Sequence, residues 1–160
     1  MRASLRGGVS ADDRTDCGVT PLMMAFAPFI AEPGSSHSKG EARKARKVEI
    51  AALLLERGAD VKLPDVEGVT ALHRVVSSYY PETTVEMWTR RLLEAGAIVD
   101  AMDARGVTAL QIAVRRRRLG AAKILISAGA DPTLSDMDGD SAESLARTVR
   151  DQSTLDRGTS

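Results

Sequence analysis

The chain has 160 residues, and its 22 basic and 22 acidic side chains give a formal net charge of zero. That length suits one domain of ordinary size, and the balanced charge argues against a generally basic nucleic-acid-binding protein. Aromatic residues make up only 3% of the chain, so the core must be built from smaller aliphatic side chains, which suits closely packed helices better than a β-sandwich.

The first predicted unit is a fragment at residues 1–14. Gly8 lies ten residues before Gly18, and the same interval returns three more times along the chain. Leu5 lies three residues before Gly8, just as Leu55 lies three residues before Gly58. We therefore expect the chain to begin in the last turn of a repeat whose other part is missing.

The first complete unit covers about residues 15–64. Thr20 can cap a short helix, and the proline that follows it suits a first helical position. Gly58 ends a second helix, because a glycine accepts the positive φ that this position requires. This unit carries 17 residues more than the shortest one, and residues 32–40 have the composition of a flexible insertion. Residues 41–50 are expected to lengthen the second helix.

The second unit covers about residues 65–102. Thr70 caps its first helix and Gly96 ends its second helix. A surplus of five residues falls near residues 77–84, again between the two helices. Since repeats stack, both insertions are expected on the same edge, opposite the loops that join successive units. They are either a binding feature or tolerated variation in loop length.

The third unit covers about residues 103–135, with Thr108 as its cap and Gly129 as its stop. A half-unit at residues 136–150 follows, in which Ser141 is the cap. Glu143 and Arg147 make the helix of this half-unit polar, as a terminal repeat requires. Residues 151–160 are predicted to be a frayed tail.

The recurring segments resemble the ankyrin repeat, whose motifs read D-x-x-G-x-T-P-L-H-x-A and L-L-x-x-G-A-D. The resemblance covers about residues 5–150 and rests most clearly on two sets of matches. These are Asp65, Gly68, Thr70, Leu72 and His73 in the second unit, and Asp103, Gly106, Thr108, Leu110 and Ala113 in the third. It implies an all-α solenoid of stacked helix-turn-helix units with hairpin-like loops, forming one domain over residues 1–150.

The resemblance also implies a protein–protein interaction module that binds through a concave face of hairpin tips and inner helices. The positions that it assigns to the tips are Asp16, Cys17, Val19, Val66, Glu67, Val69, Ala104, Arg105, Val107, Met137, Asp138 and Asp140. The positions that it assigns to the ends of the inner helices are Ser77, Ser78, Arg115 and Arg116. Glutamate at Val69 and Val107 is expected to abolish partner capture without changing thermal stability.

Four consecutive arginines, residues 115–118, lie between the two helices of the third unit. The run is interpreted as a solvated polar edge, with a site for an acidic partner as the alternative. Nucleic-acid binding is disfavoured, because no aromatic residues alternate with the arginines to stack on bases. Arg117 stands where the family often has a turn glycine, which would cost about 1 kcal/mol if its φ is positive.

Catalytic and metal-binding patterns are absent from the sequence. Its two histidines and one cysteine are far apart and form no zinc motif, no phosphate-binding loop is present, and the resemblance gives His73 a structural hydrogen-bonding role. His37 is expected in solvent and Trp88 in the core. We therefore expect no enzyme activity, no cofactor and no small-molecule substrate, with an enzyme kept as the weakest alternative.

Localisation is predicted from what the chain lacks. Cys17 is the only cysteine, which suits a reducing compartment. No apolar run is long enough to cross a membrane, and residues 1–15 lack the apolar region of a secretory signal. The cytoplasm is the expected compartment. The nucleus is an alternative because Arg43, Lys44, Arg46 and Lys47 form a basic cluster.

The N-terminal edge is predicted to be apolar, since it contains Met23, Met24, Phe26, Phe29 and Ile30. A solenoid normally ends in a polar face. Such an edge would serve self-association, or it would meet further repeats of a longer ankyrin protein whose activity lies in missing domains.

Overall fold

The computed structural model describes residues 10–27 and 37–155. Helices dominate this part of the chain, and no strand is found in it. The helices are α1 (Pro21–Phe26), α2 (His37–Glu56), α3 (Ala71–Ser77), α4 (Glu82–Glu94), α5 (Ala109–Arg115), α6 (Leu119–Ser127) and α7 (Ala142–Leu155). The first six form three helix pairs and α7 is the single helix of the last half-unit, so the predicted all-α repeat architecture is confirmed.

Short inner helices begin where the hydroxyl residues predict. The Thr20 hydroxyl accepts a hydrogen bond from the Met23 N–H at 3.3 Å, and Pro21 occupies the first helical position. The Thr108 hydroxyl accepts from the Gln111 N–H at 3.4 Å. Each bond satisfies a backbone donor of the first turn that has no partner within the helix.

The longer outer helices end where glycine predicts. Gly58, Gly96 and Gly129 have φ angles of 78°, 93° and 93°, which lie in the left-handed region that favours glycine. The chain reverses there and runs toward the next hairpin tip. The predicted helix stops are therefore confirmed in all three complete units.

Aliphatic side chains at equivalent positions of successive units form the core. Inner helices α1, α3, α5 and α7 stack in order, and outer helix α4 packs on α6. The residues that repeat are Leu22, Leu72 and Leu110 in the inner helices, and Leu54, Leu92 and Leu125 in the outer helices, all at most 4% exposed. Burying one such side chain contributes about 1.5–3 kcal/mol. Trp88 is fully buried as predicted, with its ring 5.1 Å from that of Phe26.

The lengthened α2 and the loop of the second insertion meet at the end of α1. The first insertion lengthens α2 to 20 residues, as predicted, and the second is divided between the loop of residues 78–81 and a longer α4. The Tyr80 hydroxyl donates to the Ala25 carbonyl at 3.1 Å, and the Lys47 ammonium donates to the Ala27 carbonyl at 3.2 Å. The described parts of the two lengthened regions therefore contact the same edge, while residues 32–36 of the first predicted insertion lie outside the described residues.

Two expectations about the ends of the chain need correction. Helix α7 continues through Leu155, which is five residues into the predicted tail. Met23 and Phe26 are only 1% exposed. Met23 faces the next unit, as do the residues at the equivalent position of the later inner helices. Phe26 packs on Trp88. Of the predicted apolar edge, Met24 alone is described as exposed. Four predictions lie outside the described residues: those on Leu5, on Gly8, on Phe29 and Ile30, and on the side chain of His37.

Candidate functional site: the row of hairpin tips

Each of the last three tips is folded by an aspartate at its base. The Asp65 carboxylate accepts hydrogen bonds from the Glu67 and Val69 N–H groups at 3.0 and 2.9 Å. Asp103 and Asp136 make the same pair of bonds in the following tips. A short acceptor side chain that bonds its own backbone in this way stabilises a tight turn. The tips therefore have similar shapes and present equivalent residues in the same direction.

Backbone hydrogen bonds also join one tip to the next. They run from the Val66 N–H to the Cys17 carbonyl (3.0 Å), from Ala104 to Glu67 (2.7 Å) and from Met137 to Arg105 (2.9 Å). Neighbouring tips approach closely: a Cβ at Gly68 would lie 3.0 Å from the Asp103 Cα, and Gly68 has a φ of 76°. The four tips thus form a continuous edge with a fixed backbone.

The exposed side chains on this edge form two parallel lines. Val66 is 72% exposed and Met137 is 78% exposed, with the small Ala104 between them. Beside this apolar line, Glu67, Arg105 and Asp138 alternate in charge. We call the exposed edge the tip row; its residues are Asp16, Cys17, Val66, Glu67, Ala104, Arg105, Met137 and Asp138.

Two of the positions taken from the resemblance do not belong to an exposed surface. Val107 is 3% exposed, and Ser78 is 3% exposed with its hydroxyl bonded to the Val75 carbonyl at 2.7 Å. A glutamate at Val107 would have to be buried, so the expectation of unchanged thermal stability for that substitution is wrong. Val19, Val69 and Asp140 are half-buried beside the tip row, whereas Ser77 is half-buried at the C-terminal end of α3.

The arginine run contacts other parts of the chain. Arg115 pairs with Asp136 at 2.5 Å and lies 3.6 Å from Asp140, which links α5 to the last tip. Arg118 pairs with Glu82 at 3.1 Å, and the Arg116 guanidinium carbon lies 5.4 Å from the centre of the Tyr79 ring. These contacts tie the run to α4 and to the last tip, whereas the sequence predicted a solvated edge or a site for an acidic partner.

The Asp136 carboxylate is almost completely buried, with 1% of its side chain exposed. Burial acts to raise its pKa, but the hydrogen bonds from the Asp140 N–H and from the Arg115 guanidinium outweigh burial and lower the pKa below its ordinary value. The carboxylate therefore stays ionised at neutral pH and holds Arg115 against the base of the last tip.

His73 has the structural role that the resemblance implies. Its Nδ1 accepts a hydrogen bond from the Thr70 N–H at 3.2 Å, and its Nε2–H donates to the Val107 carbonyl at 3.0 Å, which assigns the tautomer. Burial lowers the pKa of His73, although the bond to Val107 acts in the opposite direction. A neutral ring therefore ties α3 to the base of the next tip.

Residues 10–27 and 37–155 contain neither a cluster of metal-ligating side chains nor a helix that could cross a membrane. No group of three His, Cys, Asp or Glu side chains is close enough there to hold a metal ion. Among the helices described, none has both the length and the apolar character that crossing a membrane requires. Cys17 is a free, exposed thiol in the first tip.

A family model described as ankyrin repeats, in three copies, matches residues 41–136. This range is more than half of the chain and includes the second and third tips. No curated protein matches the chain.

Proposed function

We propose that this chain, which belongs to the ankyrin-repeat family, binds a partner protein through its tip row. Ankyrin repeats are generally protein–protein interaction modules. The single observation that carries the proposal for this chain is the exposed apolar line of Val66, Ala104 and Met137 beside charges of alternating sign.

The two lines of side chains suit different parts of recognition. Contact with Val66 and Met137 would remove apolar surface from water, at about 25 cal/mol per Å². Glu67, Arg105 and Asp138 would fix the direction of the partner, because charges at an interface favour one register over others. The partner face would carry a positive, a negative and a positive group in that order.

A fixed backbone supports tight binding by this surface. The hydrogen bonds between tips hold the edge before a partner arrives, so little conformational entropy is lost on binding. We include the half-buried Val19, Val69 and Asp140 as the inner wall of the surface. Ser77 and Arg116 lie at the C-terminal ends of α3 and α5 and are left out. Arg115 contributes by holding the last tip in place, and Val107 and Ser78 are left out.

Partner capture tests the proposal. Tagged wild-type chain is compared with the double variant Val66→Glu/Met137→Glu, and bound proteins are quantified by mass spectrometry. Both positions are largely exposed, so thermal stability is expected to stay constant while recovery of the specific partner falls by at least about tenfold.

A matched control places one glutamate at Ile126, which is 56% exposed on the outer helix α6. Ile126→Glu is expected to leave capture unchanged. Equal recovery by the tip-row variant and the wild type would remove the tip row as the binding surface.

A second candidate function is contact through the N-terminal face, either with a second copy or with further repeats. Ile50 is 50% exposed on this face. The residues equivalent to Ile50 in the next two units, Trp88 and Ala121, are fully buried. This candidate is tested by measuring how the stability of the Ile50→Ala variant depends on protein concentration.

The grounds for the activity and the compartment that we propose come from the sequence. We propose an adaptor or scaffold without catalytic activity, because the sequence contains no nucleophile and base at a catalytic spacing. The family is typically non-enzymatic. We place the protein in the cytoplasm, where the exposed thiol of Cys17 would stay reduced; fractionation that finds it outside reducing compartments would contradict this.

A further inference from the structure

We propose that the partner segment bound by the tip row is an amphipathic α-helix whose apolar and charged residues recur every seven positions. This inference rests on the function proposed above and adds the conformation, length and register of the partner. It is carried by the spacing of the tips and by the two lines of side chains that they present.

The tips repeat at an interval of about 10 Å. Each tip is a tight turn closed by a backbone bond, such as that from the Gly68 N–H to the Asp65 carbonyl at 3.0 Å, and the ends of such a turn lie less than about 7 Å apart. A Cβ at Gly68 would lie 3.0 Å from the Asp103 Cα. The last tip is placed in the same way, since a Cβ at Gly106 would lie 3.2 Å from the Asp136 Cα. Packed helices lie roughly 8–10 Å apart, which gives a similar interval.

An α-helix repeats at nearly the same distance. It rises about 1.5 Å per residue, so residues seven positions apart are separated by about 10.5 Å along the axis. They lie on almost the same side, with a drift of only about 20° for every seven residues. Val66, Ala104 and Met137 would therefore meet positions i, i+7 and i+14 of one helical stripe. A helix of about 15–20 residues spans the three tips.

Extended segments fit the two lines of the tip row less well. In a β-strand, three residues also cover about 10 Å, but successive side chains point to opposite faces, so neighbouring tips would meet opposite faces. A polyproline II helix repeats every three residues in about 9.3 Å, but its adjacent edges diverge by about 120°. On an α-helix, residues i and i+4 are only about 40° apart, with Cβ atoms about 5–6 Å apart. One α-helix can therefore contact the adjoining Val66 and Glu67 together.

The charged line determines which residues the helix should carry. No hydrogen bond or ion pair engages the carboxylates of Glu67 and Asp138 within the part of the chain that the structure describes. The Arg105 side chain is 74% exposed, and its distance of 3.9 Å from the Asp103 carboxylate is longer than a hydrogen bond. The helix should therefore carry a basic, an acidic and a basic residue at intervals of seven, each three or four positions from an apolar residue. Because Ala104 is small, the central apolar residue can be large.

Fluorescence anisotropy with labelled synthetic peptides of about 20 residues tests the proposal on the full chain. Two peptides have leucine every seven positions and lysine, glutamate and lysine placed three or four residues after the leucines, which covers both directions of the helix. A control peptide has the same composition with its leucines five positions apart, so that they point to different sides. The better heptad peptide is expected to bind at least about tenfold more tightly than the control, and circular dichroism should show its helicity rising on binding.

Exchange of charges between protein and peptide tests the register. Arg105→Glu is expected to weaken binding of the heptad peptide several-fold, and replacing the central glutamate of the peptide by lysine should restore it. Glu67→Lys is the matched control, because it also reverses one exposed charge of the tip row but faces an outer lysine of the peptide. The same central replacement should not restore binding to Glu67→Lys. Circular dichroism of each variant verifies folding.

The outcomes separate this inference from the proposed function. Equal binding of heptad and control peptides, no binding up to about 1 mM, or no restoration in Arg105→Glu would overturn the helical partner, even if Val66→Glu/Met137→Glu abolishes partner capture. Tighter binding of a proline-rich peptide with leucine every three positions would overturn it in favour of a polyproline II segment. If that double variant changes neither peptide binding nor partner capture, both this inference and the proposed function are wrong.

Discussion

At the residue scale, His73 and Gln111 make the same connection with different chemistry. Both follow the N-cap of an inner helix by three positions, and both accept a hydrogen bond from the N-cap N–H. His73 then donates to the Val107 carbonyl, whereas Gln111 donates to the Leu134 and Asp140 carbonyls. The connection between units is therefore independent of pH at Gln111 and dependent on pH at His73.

The pH dependence of stability tests this difference. Burial lowers the pKa of His73 below its ordinary value of 6.5. As pH falls below about 6.5, the unfolded chain takes up a proton that the folded chain does not, so the free energy of unfolding decreases until the folded pKa is reached. The variant His73→Gln is expected to lose less stability between pH 7 and pH 5 than wild type, as measured by urea unfolding.

The same experiment contains its own control. Carboxylates titrate in both proteins, so they cancel in the comparison, and at pH 7 the variant should remain within about 1 kcal/mol of wild type because glutamine can make both bonds. Parallel pH curves for the two proteins would show that His73 does not titrate with unfolding.

Single positions divide clearly into those that sequence could predict and those that it could not. The role of His73 and the burial of Trp88 follow from residue type at a repeated position. The burial of Val107 depends on the direction of one side chain at the edge of a tip. The pairing of Arg115 with Asp136 depends on how one unit stacks on the next. Neither this pairing nor the burial of Val107 leaves a signal in a single sequence.

At the element scale, the turn between α5 and α6 contains strain that the sequence did predict. Arg117 has a φ of 55°, in the left-handed region that costs a residue with a Cβ about 1–2 kcal/mol. The neighbouring Arg116 has a φ of −91°, which any residue adopts easily. The two positions are adjacent and both exposed, so they form a matched pair.

Glycine substitution at each position separates strain from a general effect of glycine. Arg117→Gly is expected to raise the free energy of unfolding by up to about 1 kcal/mol, because it removes the clash of the Cβ. Arg116→Gly should lower it by about 0.5–1 kcal/mol, because glycine adds freedom to the unfolded chain and removes the contact of Arg116 with the Tyr79 ring. Urea unfolding measures both, and shifts of the same sign would contradict a strained turn at Arg117.

Helix starts and stops were predictable because each depends on a local rule. A hydroxyl residue caps a helix and a glycine accepts a positive φ wherever the chain supplies them. The division of the second insertion between a loop and a longer α4 was not predictable, because it depends on contacts with α1. The continuation of α7 to Leu155 was missed, since no glycine or proline marks an end.

At the scale of the whole molecule, stability depends on each unit covering the next. Ile50, Trp88 and Ala121 occupy the same position in the outer helices of three successive units. Trp88 and Ala121 are fully buried, whereas Ile50 is 50% exposed. In a solenoid with contacts only between neighbours, this difference arises because Trp88 and Ala121 face a preceding unit and Ile50 faces the N-terminal end of the described stack.

The cost of truncating equivalent residues should therefore differ with position in the stack. Trp88→Ala is expected to lower the free energy of unfolding by about 3–5 kcal/mol, and a fully buried isoleucine would lose about 2–5 kcal/mol. Ile50→Ala should cost only about 1 kcal/mol in dilute protein, because half of its surface is already in water. If a second copy covers the N-terminal face, that cost will rise with protein concentration, since association stabilises the folded state by mass action. Urea unfolding of Ile50→Ala at two protein concentrations distinguishes the cases. A low loss of stability at both concentrations excludes self-association through Ile50. A high loss at both would contradict the exposed end of the stack.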